Sequence, residues 1–275
     1  MINPTVFAVP MFALFIAIEY FYDYLTKTNE YNERKDTWTN IFIGFISLFF
    51  GAIFAVGFGF VYNFFYDISP FRLPENAWYV WVSAILLDDF LYYWFHRISH
   101  ESRFWWNFHV VHHSSEHYNL SVAVRQSWFG NSVAWLFYLP LAFLGFPLIV
   151  RVSVHGLNLI YQFFIHTRFV PKLGFIEYIF NTPSQHRVHH AVNPQYLDKN
   201  YAGIFSIWDR MFGTFIEETE TPKYGVIKPI KSFNWIWINT HSWVEMWETL
   251  KEKKTLLGKL RCVFASPNMD FVEKM

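Results

Sequence analysis

Eight of the twelve histidines in this 275-residue chain fall in three tight clusters. They read His96-Arg-Ile-Ser-His100, His109-Val-Val-His112-His113 and His186-Arg-Val-His189-His190. Residues three or four apart share a helix face, so the members of each cluster are expected to project together. Two triads and a pair exceed the four ligands that complete a structural zinc site. They suit two metal ions in one pocket, with coordination positions left open for oxygen and substrate. Imidazole serves zinc, copper, iron and nickel alike, so ligand type does not name the metal. The bland alternative is a set of ordinary polar residues at a membrane face. Burying so many imidazoles without a cation would be costly, which favours the metal.

The other histidines are weighed one by one. His166, in Gln162-Phe-Phe-Ile-His166, closes a hydrophobic region and is a candidate ninth ligand. His155 lies on the same side with Asn158 and Gln162, as a supporting or packing residue. His117 breaks the ligand spacing and reads as a rim residue; His241 sits in a Trp-rich tail and reads as structural. A metal-bound imidazole usually donates its second N–H to a carboxylate or carbonyl. Asp89, Tyr93, His96 and His100 fall at i, i+4, i+7 and i+11 of one helix face. Asp89 also lies in an apolar stretch, where an ionisable group is functional by default. Asp88 points elsewhere. Glu101 and Glu116 follow the first two clusters and are candidates to orient ligands, with a solvated carboxylate as the alternative.

These residues need elements to position them. The chain is 53% hydrophobic, 23% aromatic and 16% charged, against roughly 25% charged in soluble domains. Zero net charge gives no basic field, so no nucleic acid partner is expected. Cys262 is the only cysteine, which excludes an intramolecular disulfide and a CxxC site. Three stretches approach the ~20 residues that cross a bilayer: Thr5 to Leu25, Asn40 to Phe65 and Ala77 to Phe95. The first has no basic start and no A-x-A-like site, so it reads as a span and not as a cleaved signal. Ser132 to Ile165 is split by Gly145-Phe-Pro147 and reads as a helical hairpin with its tip there.

Positive charge orients the bundle. Lys27, Arg34 and Lys35 follow the first span, Arg72 alone follows the second, and Arg97, Arg103 and Arg125 lie beyond the third. The bias puts the histidines on the cytoplasmic side of a multi-pass membrane protein, in a bacterial inner membrane or, in a eukaryote, the endoplasmic reticulum. Thr167 to Lys231 has no span and reads as a folded cytoplasmic cap. Trp235, Trp237, Trp243 and Trp247, then Lys251, Lys253 and Lys254, suit an interfacial amphipathic helix or a tail packed on the cap. The fold class expected is all-α: a membrane helical bundle of about four hydrophobic segments, the last a split hairpin, under a helical cap carrying the dimetal site. One domain over 1–275 is expected, with three spans in 1–98, a histidine segment in 99–131, the hairpin in 132–166, and cap and tail in 167–275.

The three histidine boxes resemble those of the fatty acid hydroxylase/sterol desaturase superfamily of integral-membrane di-iron enzymes. Further runs are similar to its alkylglycerol monooxygenase branch and bacterial relatives. They are His112-His113-Ser-Ser-Glu116-His-Tyr118-Asn119 with Arg125-Gln126-Ser127, and Asn181-Thr-Pro183-Ser-Gln-His186. Asp198-Lys199-Asn200-Tyr201-Ala-Gly203, leading to Trp208-Asp209-Arg210-Met-Phe212-Gly213-Thr214-Phe215, is similar too. The likeness runs from about Glu75 to Glu217, and His117 stands where that branch carries an acidic residue.

The resemblance implies two iron ions, O2, an external reductant and a membrane lipid substrate. Zinc can replace iron on purification, because it binds such ligands more tightly. In the alkylglycerol branch the reductant is a tetrahydropterin; a bacterial relative can draw on a ferredoxin-like donor instead. Hydroxylation beside an ether oxygen yields a hemiacetal that collapses to an aldehyde and free glycerol. Tyr118, Asn119, Arg125 and Gln126 become candidates to bind a head group or a pterin. Tyr201, with Asp89, Glu101 and Glu116, completes the candidate catalytic set. The alternative for these flanking residues is that they hold the cap together. Two other functions stay open: a lipid or sterol desaturase of the same superfamily, and a non-enzymatic metal-binding membrane protein.

Overall fold

A computed structural model of the protein describes residues 4–26 and 34–268. Lys27, one of the charges used to orient the bundle, lies outside the described residues. Among those described there is no strand, only two isolated bridges, Phe180 to Phe205 and Ala191 to Tyr224. The fold is an all-helical integral-membrane bundle.

Helix α1 covers Pro4–Thr26 and α2 covers Arg34–Ile68. At 1.5 Å per residue, the 35 residues of α2 outrun a hydrocarbon core of about 30 Å. Its first turns leave the apolar zone and bury Asp36, Thr37 and Asn40. That is why the helix starts before the expected Asn40. Helix α3 covers Trp78–Glu101 and α4 covers Arg103–His113, with Ser102 as the extended residue between them.

A short α5, Leu120–Val124, starts where the Asn119 side chain accepts from the Ser121 N–H. The expected hairpin follows. Its first arm is α6 (Asn131–Ala134), a 3-10 turn and α7 (Leu139–Phe143); its second is α8, Leu148–Ile165. The tip turns at Gly145, whose φ is +85°. A Cβ there would lie 2.6 Å from the Phe71 carbonyl, so only glycine fits.

Among the described residues three helices are long and apolar enough to cross a membrane: α1, α2 and α8. The third expected span forms as α3 but is not among them. Its interior carries Asp88, Asp89, Tyr92, Tyr93, His96 and His100, all buried. It is the central helix, packed on α4 and α8, and its polar face is covered by protein instead of lipid. The apolar core joins Phe58 and Tyr62 of α2, Val80 and Ala84 of α3, and Val150 and Val154 of α8 around the hairpin.

Beyond the bundle lie α9 (Pro183–His189), α10 (Ile207–Met211), α11 (Trp235–Glu252) and α12 (Leu256–Phe264). Helix α11 packs on α4 through Ile238, Ser242 and Met246, while Asn239 accepts from the Trp128 N–H. The tail is thus docked on one face, while Trp237 and Trp247 remain exposed on the other.

Candidate metal centre

Four helices bring nine histidines together. Helix α3 supplies His96 and His100 from its last two turns, and α4 supplies His109, His112 and His113. His166 caps the C-terminus of α8; α9 supplies His186 and His189, with His190 as its cap. All nine are buried. They sort into two groups: His96, His100, His109, His113 and His189, and His112, His166, His186 and His190. Within each group the potential ligand atoms all lie within 4.8 Å of one another.

The sequence clusters do not map onto the spatial groups. His109 and His113 enter one group and His112 the other; His186 and His190 enter the second group and His189 the first. Each HxxHH helix gives its i,i+4 pair to one group and its middle histidine to the other. The cause is helical geometry. At 3.6 residues per turn, positions i and i+4 are about 40° apart around the axis, whereas i+3 and i+4 are about 100° apart. The rings of His112 and His113 accordingly stand 88° from parallel. The sequence expectation of one shared face per cluster was too coarse.

The imidazole nitrogens converge tightly. His109 Nε2 lies 3.0 Å from both His96 Nε2 and His113 Nε2, and His113 Nε2 lies 3.1 Å from His189 Nε2. In the second group His166 Nε2 lies 3.1 Å from His112 Nε2 and 2.9 Å from His186 Nε2. These contacts cannot all be hydrogen bonds, because a neutral imidazole has one N–H. In four rings the Nδ1–H faces a carbonyl: His96 to Tyr201 (2.7 Å), His112 to Arg125 (3.2 Å), His166 to Gln162 (2.6 Å) and His189 to Lys199 (3.0 Å). That leaves lone pairs on their Nε2 atoms. The 3.1 Å approach of His112 and His166 then sets lone pair against lone pair. A cation between them removes the repulsion. At metal–imidazole distances of about 2.0–2.1 Å, ligands at right angles sit about 3 Å apart. The donor set therefore fits two first-row metal ions.

Protonation reinforces this. Burial, with the neighbouring histidines, holds His109, His112, His113, His186, His189 and His190 well below the usual imidazole range. Their lone pairs are free for metal at neutral pH.

Buried side chains fix the carbonyls that orient these rings. Asp209 accepts from the Tyr201 N–H (2.7 Å), the Ala202 N–H (2.9 Å) and the Thr214 hydroxyl (2.7 Å). Asp89 accepts from the N–H groups of Ile204 (2.6 Å) and Phe205 (2.9 Å), the Trp208 indole (2.9 Å) and Asn158 (3.1 Å). Two carboxylates thus pin the loop 201–205, and its Tyr201 carbonyl receives His96. Asp89 acts on backbone rather than directly on an imidazole. Sequence reasoning passed over Asp209, which has no ligand spacing and stood out only within the Trp208-Asp209-Arg210 likeness.

The remaining candidates are placed as follows. The Arg125 guanidinium donates to the Val111 carbonyl (2.8 Å), Ser114 and Asn40 (2.7 Å), and lies 3.5 Å from Asp36. It ties α2 to the end of α4 while its own carbonyl receives His112. Gln126 is exposed beside His112 (3.3 Å). Asn119 caps α5. Tyr118 is buried against the second group, its ring 5.2 Å from His190 and its hydroxyl donating to the Ile165 carbonyl. Tyr201 is buried with its ring 5.4 Å from His100. Glu101 turns outward to Arg97 (2.8 Å), and Glu116 is exposed. His155 pairs with Asp88 (3.2 Å) inside the bundle, away from both groups. A small recess of about 30 Å³ reaches His100, His113, His189 and His190, with Asp198 at its wall.

Known proteins resemble this chain in sequence. The alkylglycerol monooxygenase of Homo sapiens is 39% identical over 264 residues, which is 94% of this chain and 58% of that protein. The Xenopus tropicalis protein of the same name is 43% identical over 75% of this chain and 47% of its own length. That of Caenorhabditis elegans is 36% identical over 86% of this chain and 47% of its own length. The chain thus spans about half the length of these relatives. No solved structure gives a significant match. The fatty acid hydroxylase family model matches residues 81–214. The matched residues, 81–214, carry all nine grouped histidines, so this chain is similar to the fatty acid hydroxylase family over the part that builds the metal centre.

Proposed function

We propose that the chain is a membrane-bound, O2-dependent lipid monooxygenase, that its two histidine groups hold a pair of iron ions, and that its substrate is an ether lipid of the alkylglycerol type. The carrying observation is the set of nine buried imidazoles whose ring nitrogens converge in two groups. Bound iron supplies O2 reduction and hydrogen removal from an unactivated C–H bond. The substrate reading rests on the names of the relatives at 36–44% identity. Zinc is expected to compete for the same ligands, and a tetrahydropterin is the expected reductant.

The chain's own residues set the conditions. Backbone carbonyls of Tyr201, Arg125, Gln162 and Lys199 hold His96, His112, His166 and His189 in the tautomer that presents Nε2. Burial keeps the rings neutral and limits water around the reacting carbon. The groups lie at the ends of α3 and α8, at the boundary of the bundle, so a lipid can present a head-proximal carbon without leaving the membrane. The positive-charge bias puts this boundary on the cytoplasmic side, and the chain works as one unit over 1–275.

The test is direct. Purified protein is reconstituted with ferrous iron, a tetrahydropterin and O2, and given a 1-O-alkylglycerol. Release of fatty aldehyde and glycerol, dependent on O2 and reductant, is the expected result. An unsaturated ether lipid as product would replace the reading with a desaturase. Protein that binds no iron under these conditions overturns it altogether.

A further inference from the structure

Helices α11 and α12 each present an apolar face that no described element covers. On α12, Leu256, Leu260 and Phe264 recur every four residues with Leu257 beside them, an arc of about 100°. Their exposures are 74%, 47%, 58% and 60%. Lys259 flanks this arc on one side and Arg261 on the other. Cys262, on the far side, is buried and meets the Arg103 guanidinium at 3.5 Å. The helix is anchored through its polar side, with the Arg103 N–H donating to the Ala265 carbonyl at 2.9 Å. Helix α11 repeats the pattern: Ile238, Ser242 and Met246 face α4, while Ile236, Trp237, Val244 and Trp247 are exposed in one stripe. Lys251, Lys253 and Lys254 are exposed where the two helices meet.

We propose that α11 and α12 form a shelf that lies on the membrane surface and binds anionic lipid head groups. Two observations name this occupant. One is continuity with the lipid-facing bundle: Trp235, at the start of α11, meets Phe42 of α2 with ring centroids 5.3 Å apart. Phe42, Phe45 and Phe49 then continue outward along α2, 43%, 71% and 62% exposed. The other is charge. Basic residues border an exposed apolar face on both sides, the arrangement by which interfacial helices sink Leu, Phe and Trp below the head groups and lift Lys and Arg to them. The shelf grips α4 through Trp243, whose ring lies 4.9 Å from Phe108, so membrane contact is linked to the helix that carries His109, His112 and His113.

The experiment uses the full chain in nanodiscs of phosphatidylcholine, alone or mixed with phosphatidylglycerol. Leu260→Cys, in a Cys262→Ser background, carries a nitroxide; Lys223→Cys on the cap is the aqueous control. Collision rates with O2 and with a water-soluble nickel chelate are compared. The expected result is a several-fold higher O2-to-nickel ratio at residue 260 than at 223, rising further with anionic lipid. Lys254→Gln and Lys259→Gln should each reduce the membrane-bound fraction relative to the lifted one by about fivefold in the mixed discs. A residue-260 label as open to nickel as the control overturns the proposal. So does protection from both probes, the mark of a protein segment or second copy on this face. Contact that ignores anionic lipid overturns the head-group assignment.

Discussion

His113 and His190 stack with ring centroids 4.3 Å apart and planes 19° from parallel, although each belongs to a different histidine group. Both lie on the wall of the recess that reaches the two groups. The groups therefore share a wall, and a change in either ring is felt by both.

His113→Ala and His190→Ala should each cost metal, the first from the five-histidine group and the second from the four-histidine group. Metal analysis of each variant should show roughly half the wild-type content, with turnover lost. Because the rings touch, the double variant should deviate from additivity by ~0.5–3 kcal/mol in metal-linked stability. Full metal content and turnover in either single variant would remove it from the ligand set.

Asp209 holds the loop whose carbonyl orients His96, so its loss should act on metal without touching it. Burial pushes its carboxyl up to about 6, against the hydrogen bonds that lower it, so it stands largely ionised at neutral pH. Asp209→Ala should weaken metal binding by the ~10–100-fold typical of residues behind a ligand. Asp209→Asn, which keeps one acceptor, should lose less. Metal titration at fixed temperature separates this from a scaffold role, in which both variants melt earlier with unchanged affinity.

Gly203 is a close-approach position. A Cβ there would lie 2.5 Å from Asp89 Oδ1, 2.8 Å from Asn158 Oδ1 and 2.9 Å from Tyr92 Cδ1. Gly203→Ala should destabilise by ~1–3 kcal/mol as the Asp89 network shifts. Gly57, exposed on α2 with nothing within 4 Å, is the contrast. Gly57→Ala should stabilise by ~0.5–1 kcal/mol, because alanine loses less backbone freedom in a helix. Thermal unfolding in detergent reads both; equal shifts would refute the contrast.

His241 should matter to docking and not to turnover. Burial on α11 lowers its pKa below the usual imidazole value. The unfolded residue titrates near ~6.5, so below that pH the unfolded chain binds more protons than the folded one. Its contribution therefore favours folding above ~6.5 and is lost as pH falls below it. His241→Gln should leave activity at pH 7.5 unchanged and make the melting temperature fall less than wild type between pH 7.5 and 5.5. Identical pH profiles would show that His241 does not titrate in this range.

The sequence by itself determined the chemistry and its rough housing. Ligand type and i, i+3, i+4 spacing are local properties, so the eight boxed histidines, and His166 at the end of α8, were legible as a set. Apolar length and the Gly145-Phe-Pro147 break were equally local, and they marked α1, α2 and the hairpin. What only the tertiary structure decided was partnership. Each HxxHH run splits its histidines by the angular step of its own helix, but which rings of α4 meet which rings of α9 depends on how the two helices are placed in the fold. Asp89 was readable as a buried carboxylate on the face of His96, but its partners Ile204, Phe205 and Trp208 lie more than a hundred residues away. Arg125 looked free to meet a ligand, yet Val111, Ser114 and Asn40 take up its donors, the last from 85 residues away. Hydrogen bonds satisfied across such distances leave no periodic trace, because they are set by which surfaces meet after the apolar faces have packed.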